Sequence, residues 1–214
     1  ANQTGQNMPY RYELPVSMRQ ENQEDPWGSP DETMDKNSEW VDENGSTRAS
    51  KVMFYDASAE KVYCWRRSGE GTLDLPGGKR IECDESDVAT AQRECGEEIQ
   101  LKGRLAERLE AMGESDPRWT VEVSPGEPMD KKVVISIWAI EATVKEMAEI
   151  QQTEGGKREG KAAGARPVAE LIEDSPYWRA VQEIVEHFQT RWSATVTGRD
   201  ELAVATENTA PEAE

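Results

Sequence analysis

The stretch Leu75-Pro-Gly-Gly-Lys-Arg-Ile-Glu-Cys-Asp-Glu-Ser-Asp-Val-Ala-Thr-Ala-Gln-Arg-Glu-Cys-Gly-Glu-Glu-Ile-Gln-Leu101 opens on a strong breaker, Pro76-Gly77-Gly78, and then turns helical. From Glu85 to Ile99, Val88, Ala91, Cys95 and Ile99 recur at spacings of 3, 4 and 4, which puts them on one helix face. Glu94, Glu97 and Glu98 are related by i, i+3 and i+4, so their carboxylates share a face beside that apolar stripe. Three like charges so close repel and raise one another's pKa. A hard divalent cation relieves the repulsion, and an all-carboxylate donor set suits Mg²⁺ or Mn²⁺.

Outward from this segment, Lys51–Ala57 and Lys61–Arg67 are rich in Val, Tyr, Phe and Trp and predict two strands joined by a hairpin turn at Ser58-Ala59-Glu60. Gly71–Leu75, Leu105–Met112, Arg118–Val123 and, most strongly, Lys132–Val144 are further strand candidates. Residues 145–152 are ambiguous, and 153–166, rich in Gly, Lys and Arg, read as a loop. Ser175 as N-cap and Pro176 at the first helical position predict a last helix to about Trp192, with Val181, Ile184, Val185 and Phe188 as its stripe. Strands, helix, strands, helix imply an α+β layered fold.

The whole chain has 214 residues, with 25 Lys plus Arg against 43 Asp plus Glu, a formal net charge of −18 and 36% apolar residues. That balance argues against a protein whose entire surface grips nucleic acid or anionic lipid. No run approaches the 18 or so apolar residues of a spanning helix, so no membrane partner is expected. Residues 1–50 hold 10 acids and 4 bases, and residues 193–214 hold 5 acids and 1 base. Both ends are poor in aliphatic residues, so the expected organisation is a disordered acidic extension over 1–50, one domain over 51–192 and a disordered acidic tail over 193–214. Three cysteines without C-x-x-C spacing indicate neither a disulfide framework nor a zinc site, and His187 stands alone.

The 75–101 segment resembles the Nudix box, G-x5-E-x7-R-E-U-x-E-E-x-G-U, where U is aliphatic. Glu85, seven residues, and then Arg93-Glu94-Cys95-Gly96-Glu97-Glu98-Ile99-Gln100-Leu101 follow its second part. Two departures are visible: six residues, not five, separate Gly78 from Glu85, and Gln100 stands where the box has Gly. A left-handed helix exit at that position would cost a non-Gly residue about 1 kcal/mol. The resemblance covers roughly 51–192 and implies an αβα sandwich around a mixed sheet.

The resemblance also implies an enzyme, a Mg²⁺- or Mn²⁺-dependent pyrophosphohydrolase. Glu94, Glu97 and Glu98 would hold metal, with Glu85 contributing through water. Arg93 would hold the carboxylate cluster in place, and Glu97, Glu98 and Arg93 would be the catalytic set. Gly77, Gly78 and Lys79 would bring the loop against the diphosphate. Glu122, Glu127 and Glu141 are candidates for a general base outside the box. Trp65, Arg66, Arg67, Arg80, Trp119, Lys131, Lys132 and the basic 157–166 stretch are weaker substrate candidates, and Trp138 reads as core.

The expected substrate is a nucleoside diphosphate linked to another moiety, with the mRNA 5′ cap one option. The competing reading is a catalytically silent Nudix fold serving as binding subunit of an RNA or ribosomal assembly. The expected location is cytoplasmic. If a signal peptide preceded Ala1, the chain would resemble secreted effectors that act in a host cytosol.

Overall fold

The computed structural model describes residues 40–69, 71–123 and 132–191; the predicted tails, apart from 40–50, lie outside these. Strand β1 (Thr47–Asp56) runs through the centre and is buried over nearly its whole length, as a strand covered on both faces must be. It starts four residues before the expected Lys51. β1 pairs antiparallel with β2 (Lys61–Arg67) across the predicted hairpin, with β3 (Leu73–Asp74) beyond β2. Short β4 (Gly77–Lys79) also pairs with β1, so Ser50 faces Gly78 and Lys51 faces Gly77 in the ladder.

Next come α1 (Asp87–Glu98), β5 (Ile99–Gln100), α2 (Gly103–Glu110), β6 (Arg118–Val123) and β7 (Val133–Glu141). β7 lies parallel to β1 and antiparallel to β6, giving a mixed sheet of order β3-β2-β1-β7-β6. The chain continues through α3 (Val144–Ala148), β8 (Gln151–Gln152), α4 (Glu154–Glu159), β9 (Gly160–Pro167), α5 (Val168–Asp174) and a final helix, α6, over 178–191.

Side-chain alternation along β1 splits the core in two. Val52 and Phe54 pack with Val88, Ala91 and Cys95 of α1, Leu105 and Leu109 of α2, and Met147 of α3. Met53 and Tyr55 pack on the other face with Leu171 of α5 and Val181, Ile184 and Phe188 of α6. Helices thus cover both faces of a mixed sheet, the sandwich that the box implied. No described helix is long and apolar enough to cross a membrane.

Three sequence expectations are corrected. Leu105–Met112 is not a strand but includes most of α2, because Leu105, Ala106, Leu109 and Met112 fall at helical spacing and all are buried. Residues 153–166 are not loop: Thr153 caps α4, and β9 pairs with β2 along its whole length. Small and polar residues hide this strand from propensity arguments, since its ladder rests on backbone groups. The last helix begins at 178 rather than at Pro176, and Ser175 closes α5 while its hydroxyl accepts the Tyr177 N–H at 3.1 Å.

Gly155 and Gly156 explain how α4 docks on the end of α1. A Cβ on Gly156 would overlap the Glu98 carbonyl, and one on Gly155 would crowd that of Glu97. Gly156→Ala is therefore expected to cost about 1–3 kcal/mol through overpacking. A thermal melt followed by circular dichroism checks this, and an unchanged midpoint would show that α4 does not dock as described.

Candidate active site

α1 starts at Asp87 because Ser86 caps it, its hydroxyl accepting the Ala89 N–H at 3.1 Å. This places Arg93 directly before Glu94 and one turn before Glu97, with its guanidinium buried. Arg93 Nε and one terminal nitrogen reach the two Asp84 oxygens at 2.8 and 2.9 Å. The other terminal nitrogen lies 2.8 Å from Glu94 and 3.4 Å from Glu97. Arg93 also donates to the Lys79 carbonyl at 3.0 Å, so one side chain ties loop, helix and acids together.

The resemblance puts Glu85 at the first acid of the box, contributing to metal through water; the acid that meets the Arg93 guanidinium is its neighbour Asp84, a residue the sequence expectations do not include. Asp84 is buried and accepts from Thr90 Oγ1 at 3.0 Å and from the Ile81 N–H at 3.1 Å, while Glu85 is exposed and only its carbonyl is engaged, by Arg80 at 3.1 Å. The signal was in the spacing: five residues after Gly78 lead to Asp84, so the extra residue of the box follows the acid rather than preceding it. The second departure also has a structural answer. α1 ends with Ile99 in extended backbone, and Gln100 pairs with Gln151 in the β5–β8 ladder, so no left-handed exit is needed.

The structure buries Glu98, half-buries Glu94, whose side chain is 16% exposed, and leaves Glu97 at the rim, its side chain 58% exposed. Glu94 lies against Gly78, where a Cβ would overlap its carboxylate. Gly77, with φ +136°, leaves no room for a Cβ against the Ser50 carbonyl and the Lys51 backbone. Its N–H donates to Glu98 Oε2 at 2.7 Å. Burial pushes Glu98 up to about 9; the Gly77 hydrogen bond and the Lys51 charge oppose that rise and Glu94 adds to it. Burial also raises Glu94, against the pull of Arg93. Burial, more than mutual repulsion, thus dominates the shifts of these two acids.

Among the described residues, no group of three acids stands close enough together to hold an ion as they are. The donor chemistry nevertheless fits a cation. Glu98 is a carboxylate held in the interior with one backbone donor, and Glu94 lies in the same cluster.

The other predicted contributors are dispersed. Glu122 pairs with Lys132 at 2.8 Å on the surface, while Glu127 and Lys131 lie outside the described residues. Glu141 borders a depression with Asp56, Arg104 and Glu146, and lies about 17 Å along β7 from Ser136, whose hydroxyl donates to Asp87 of the box helix at 3.2 Å. Trp65 and Trp138 are core, and Trp119 packs edge-on against His187, at 5.3 Å between ring centroids. Arg66 donates to the Gly71 carbonyl at 2.6 Å, Arg67 pairs with Asp74 at 2.8 Å, and Arg80 stacks on Trp40 at 4.2 Å. Lys157 pairs with Glu154 at 2.6 Å and Arg166 with Glu170 at 2.7 Å; Arg158 and Lys161 are exposed, as is Lys79, whose carbonyl serves Arg93.

No protein-family model matches the chain, and no curated protein matches it. Its structural neighbours are MutT/Nudix hydrolases. It is similar to an E. coli dihydroneopterin triphosphate pyrophosphohydrolase, with 15% identity over 67% of this chain and 95% of that one, at a TM-score of 0.46. A MutT NUDIX hydrolase from Burkholderia pseudomallei gives 16% identity over 66% and 96%, at 0.44. A MutT protein from Bacillus halodurans gives 18% over 67% and 82%, at 0.39.

Proposed function

We propose that this protein is a divalent-metal-dependent Nudix pyrophosphohydrolase that cleaves the diphosphate linkage of a nucleoside diphosphate joined to another moiety, with capped RNA among its candidate substrates. The observation that carries this reading is Glu98, a buried carboxylate at the end of the box helix, fixed by the Gly77 N–H at 2.7 Å and pushed up to about 9. A carboxyl group whose anion is disfavoured by burial gains most from a cation bound beside it.

Glu94 and Glu98, with Glu97 at the open side, would hold Mg²⁺ or Mn²⁺. When bound, such an ion neutralises phosphate oxygens and lowers the pKa of its water. The protein's own part is orientation. Arg93, clamped by Asp84, holds Glu94 and leans on Glu97, so the acids keep one arrangement. Gly77 and Gly78 let the loop backbone lie against them without side-chain obstruction. Glu97, exposed to solvent, would accept a proton from an attacking water. The two departures that motivated a silent binding subunit are absorbed, one by Asp84 and the other by the extended exit at Ile99.

A panel of diphosphate substrates, including capped RNA, incubated with Mg²⁺ or Mn²⁺ tests the reading. At least one substrate is expected to turn over, and Glu97→Gln to slow it by about 10²-fold or more. Absence of turnover across the panel, or a variant equal to wild type, would overturn it.

A further inference from the structure

Behind the carboxylates lies a second buried charge cluster that the proposed reaction does not use. Lys51 sits mid-strand in β1 with its ammonium 2.6 Å from Asp74 Oδ1 and 3.3 Å from the Leu75 carbonyl, and its side chain is 6% exposed. It also lies 5.4 Å from the centre of the Tyr177 ring. The Tyr177 hydroxyl donates to Asp74 Oδ1 and accepts the Leu75 N–H at 3.0 Å. Arg67, half exposed, closes the cluster at 2.8 Å from Asp74 Oδ2. Every partner grips Asp74 or Leu75, and two residues later the same chain delivers the Gly77 N–H to Glu98. Between them, the Pro76 carbonyl accepts the Val52 N–H at 2.9 Å, which fixes the remaining link to β1.

Tyr177 stands at the junction of α5 and α6, a hundred residues beyond the loop it holds. An apolar side chain could fill its place in the core, but could not bond Asp74 and Leu75 together. Building on the metal-site reading above, we infer that Tyr177, Asp74 and Lys51 form a positioning unit through which the C-terminal helix sets the loop that orients Glu98 for its cation. They are positioning residues: none touches Glu98 by a hydrogen bond, and each acts through the 74–77 backbone.

Mn²⁺ titration of the full chain, followed by the electron paramagnetic resonance of free Mn²⁺, tests this without turnover. Tyr177→Phe keeps the ring and removes the hydroxyl. It is expected to weaken Mn²⁺ binding about tenfold, the scale on which outer residues tune metal sites. Arg67→Gln, a change at the exposed edge of the cluster, should weaken binding in the same direction by less and gives a second reading if Tyr177→Phe does not fold. Phe188→Leu, in α6 and packed on Tyr55 at 5.8 Å between ring centroids, is the control: its melting point should fall while its Mn²⁺ affinity stays at the wild-type value. Unchanged affinity in both Tyr177→Phe and Arg67→Gln, or an equal loss in Phe188→Leu, would overturn the positioning role and leave the metal site standing. If wild type and Glu98→Gln bind Mn²⁺ equally, or neither binds it, the metal reading itself falls, and the inference with it.

Discussion

Glu98→Gln is expected to remove turnover and, at the same time, to raise the melting temperature of the metal-free protein at pH 8. The sign follows from burial. Glu98 titrates at about 9 in the folded chain against an ordinary 4.5, so the folded state holds the proton more tightly than the unfolded one. Stability from this group is fully present below about pH 4.5 and is lost as pH rises toward 9, at no more than about 1.4 kcal/mol per unit. Glutamine resembles the protonated form and its amide oxygen still accepts the Gly77 N–H, so the variant should lose this slope and melt several degrees higher at pH 8. Mn²⁺ should raise the midpoint of wild type but not of the variant, because only a ligand of the folded state stabilises by mass action. Turnover should drop by about 10²–10³-fold. A variant that keeps activity would show that Glu98 is no ligand, and one that melts no higher without metal would show that its burial carries no cost.

Arg93→Ala should produce the largest loss of stability of any single change in the box. It strips the paired charge from Asp84, whose side chain is fully buried, and leaves it only the Thr90 hydroxyl and the Ile81 N–H. Breaking such a pair from one side costs about 3–5 kcal/mol, because an uncompensated charge remains in the interior. Arg93→Lys should recover little of it, since an ammonium cannot span both Asp84 oxygens. Glu85→Gln should stay within about 0.5 kcal/mol of wild type, as an exposed side chain. Urea unfolding of Arg93→Ala, Arg93→Lys, Asp84→Asn and Glu85→Gln separates the two acids. If Glu85→Gln proves as costly as Asp84→Asn, the assignment of Asp84 as the partner of Arg93 is wrong.

Much of this molecule was legible from local pattern. The β1–β2 hairpin, the strong β7 strand and the box helix each carry a period that a single element must bury, and a period survives in the sequence whatever surrounds it. The elements that were misread owe their form to neighbours. β9 is a strand because β2 offers it a ladder, and α4 is a helix docked where two glycines admit the carbonyls of Glu97 and Glu98. α2 is a different case: its buried residues fall at helical spacing among good helix formers, so this helix is legible in the sequence itself.

The same division runs through the site. Residue spacing alone puts three glutamates on one helix face beside an apolar stripe, because the angle between side chains on a helix depends only on their separation. Packing settled what each became: it buried Glu98, half-buried Glu94, left Glu97 in solvent, set Asp84 rather than Glu85 against Arg93, and tied Asp74, three residues before Gly77, to a tyrosine a hundred residues away. Burial and long-range pairing depend on which distant segments come to lie against a residue. That is a property of the packed chain and is written at no one position in it.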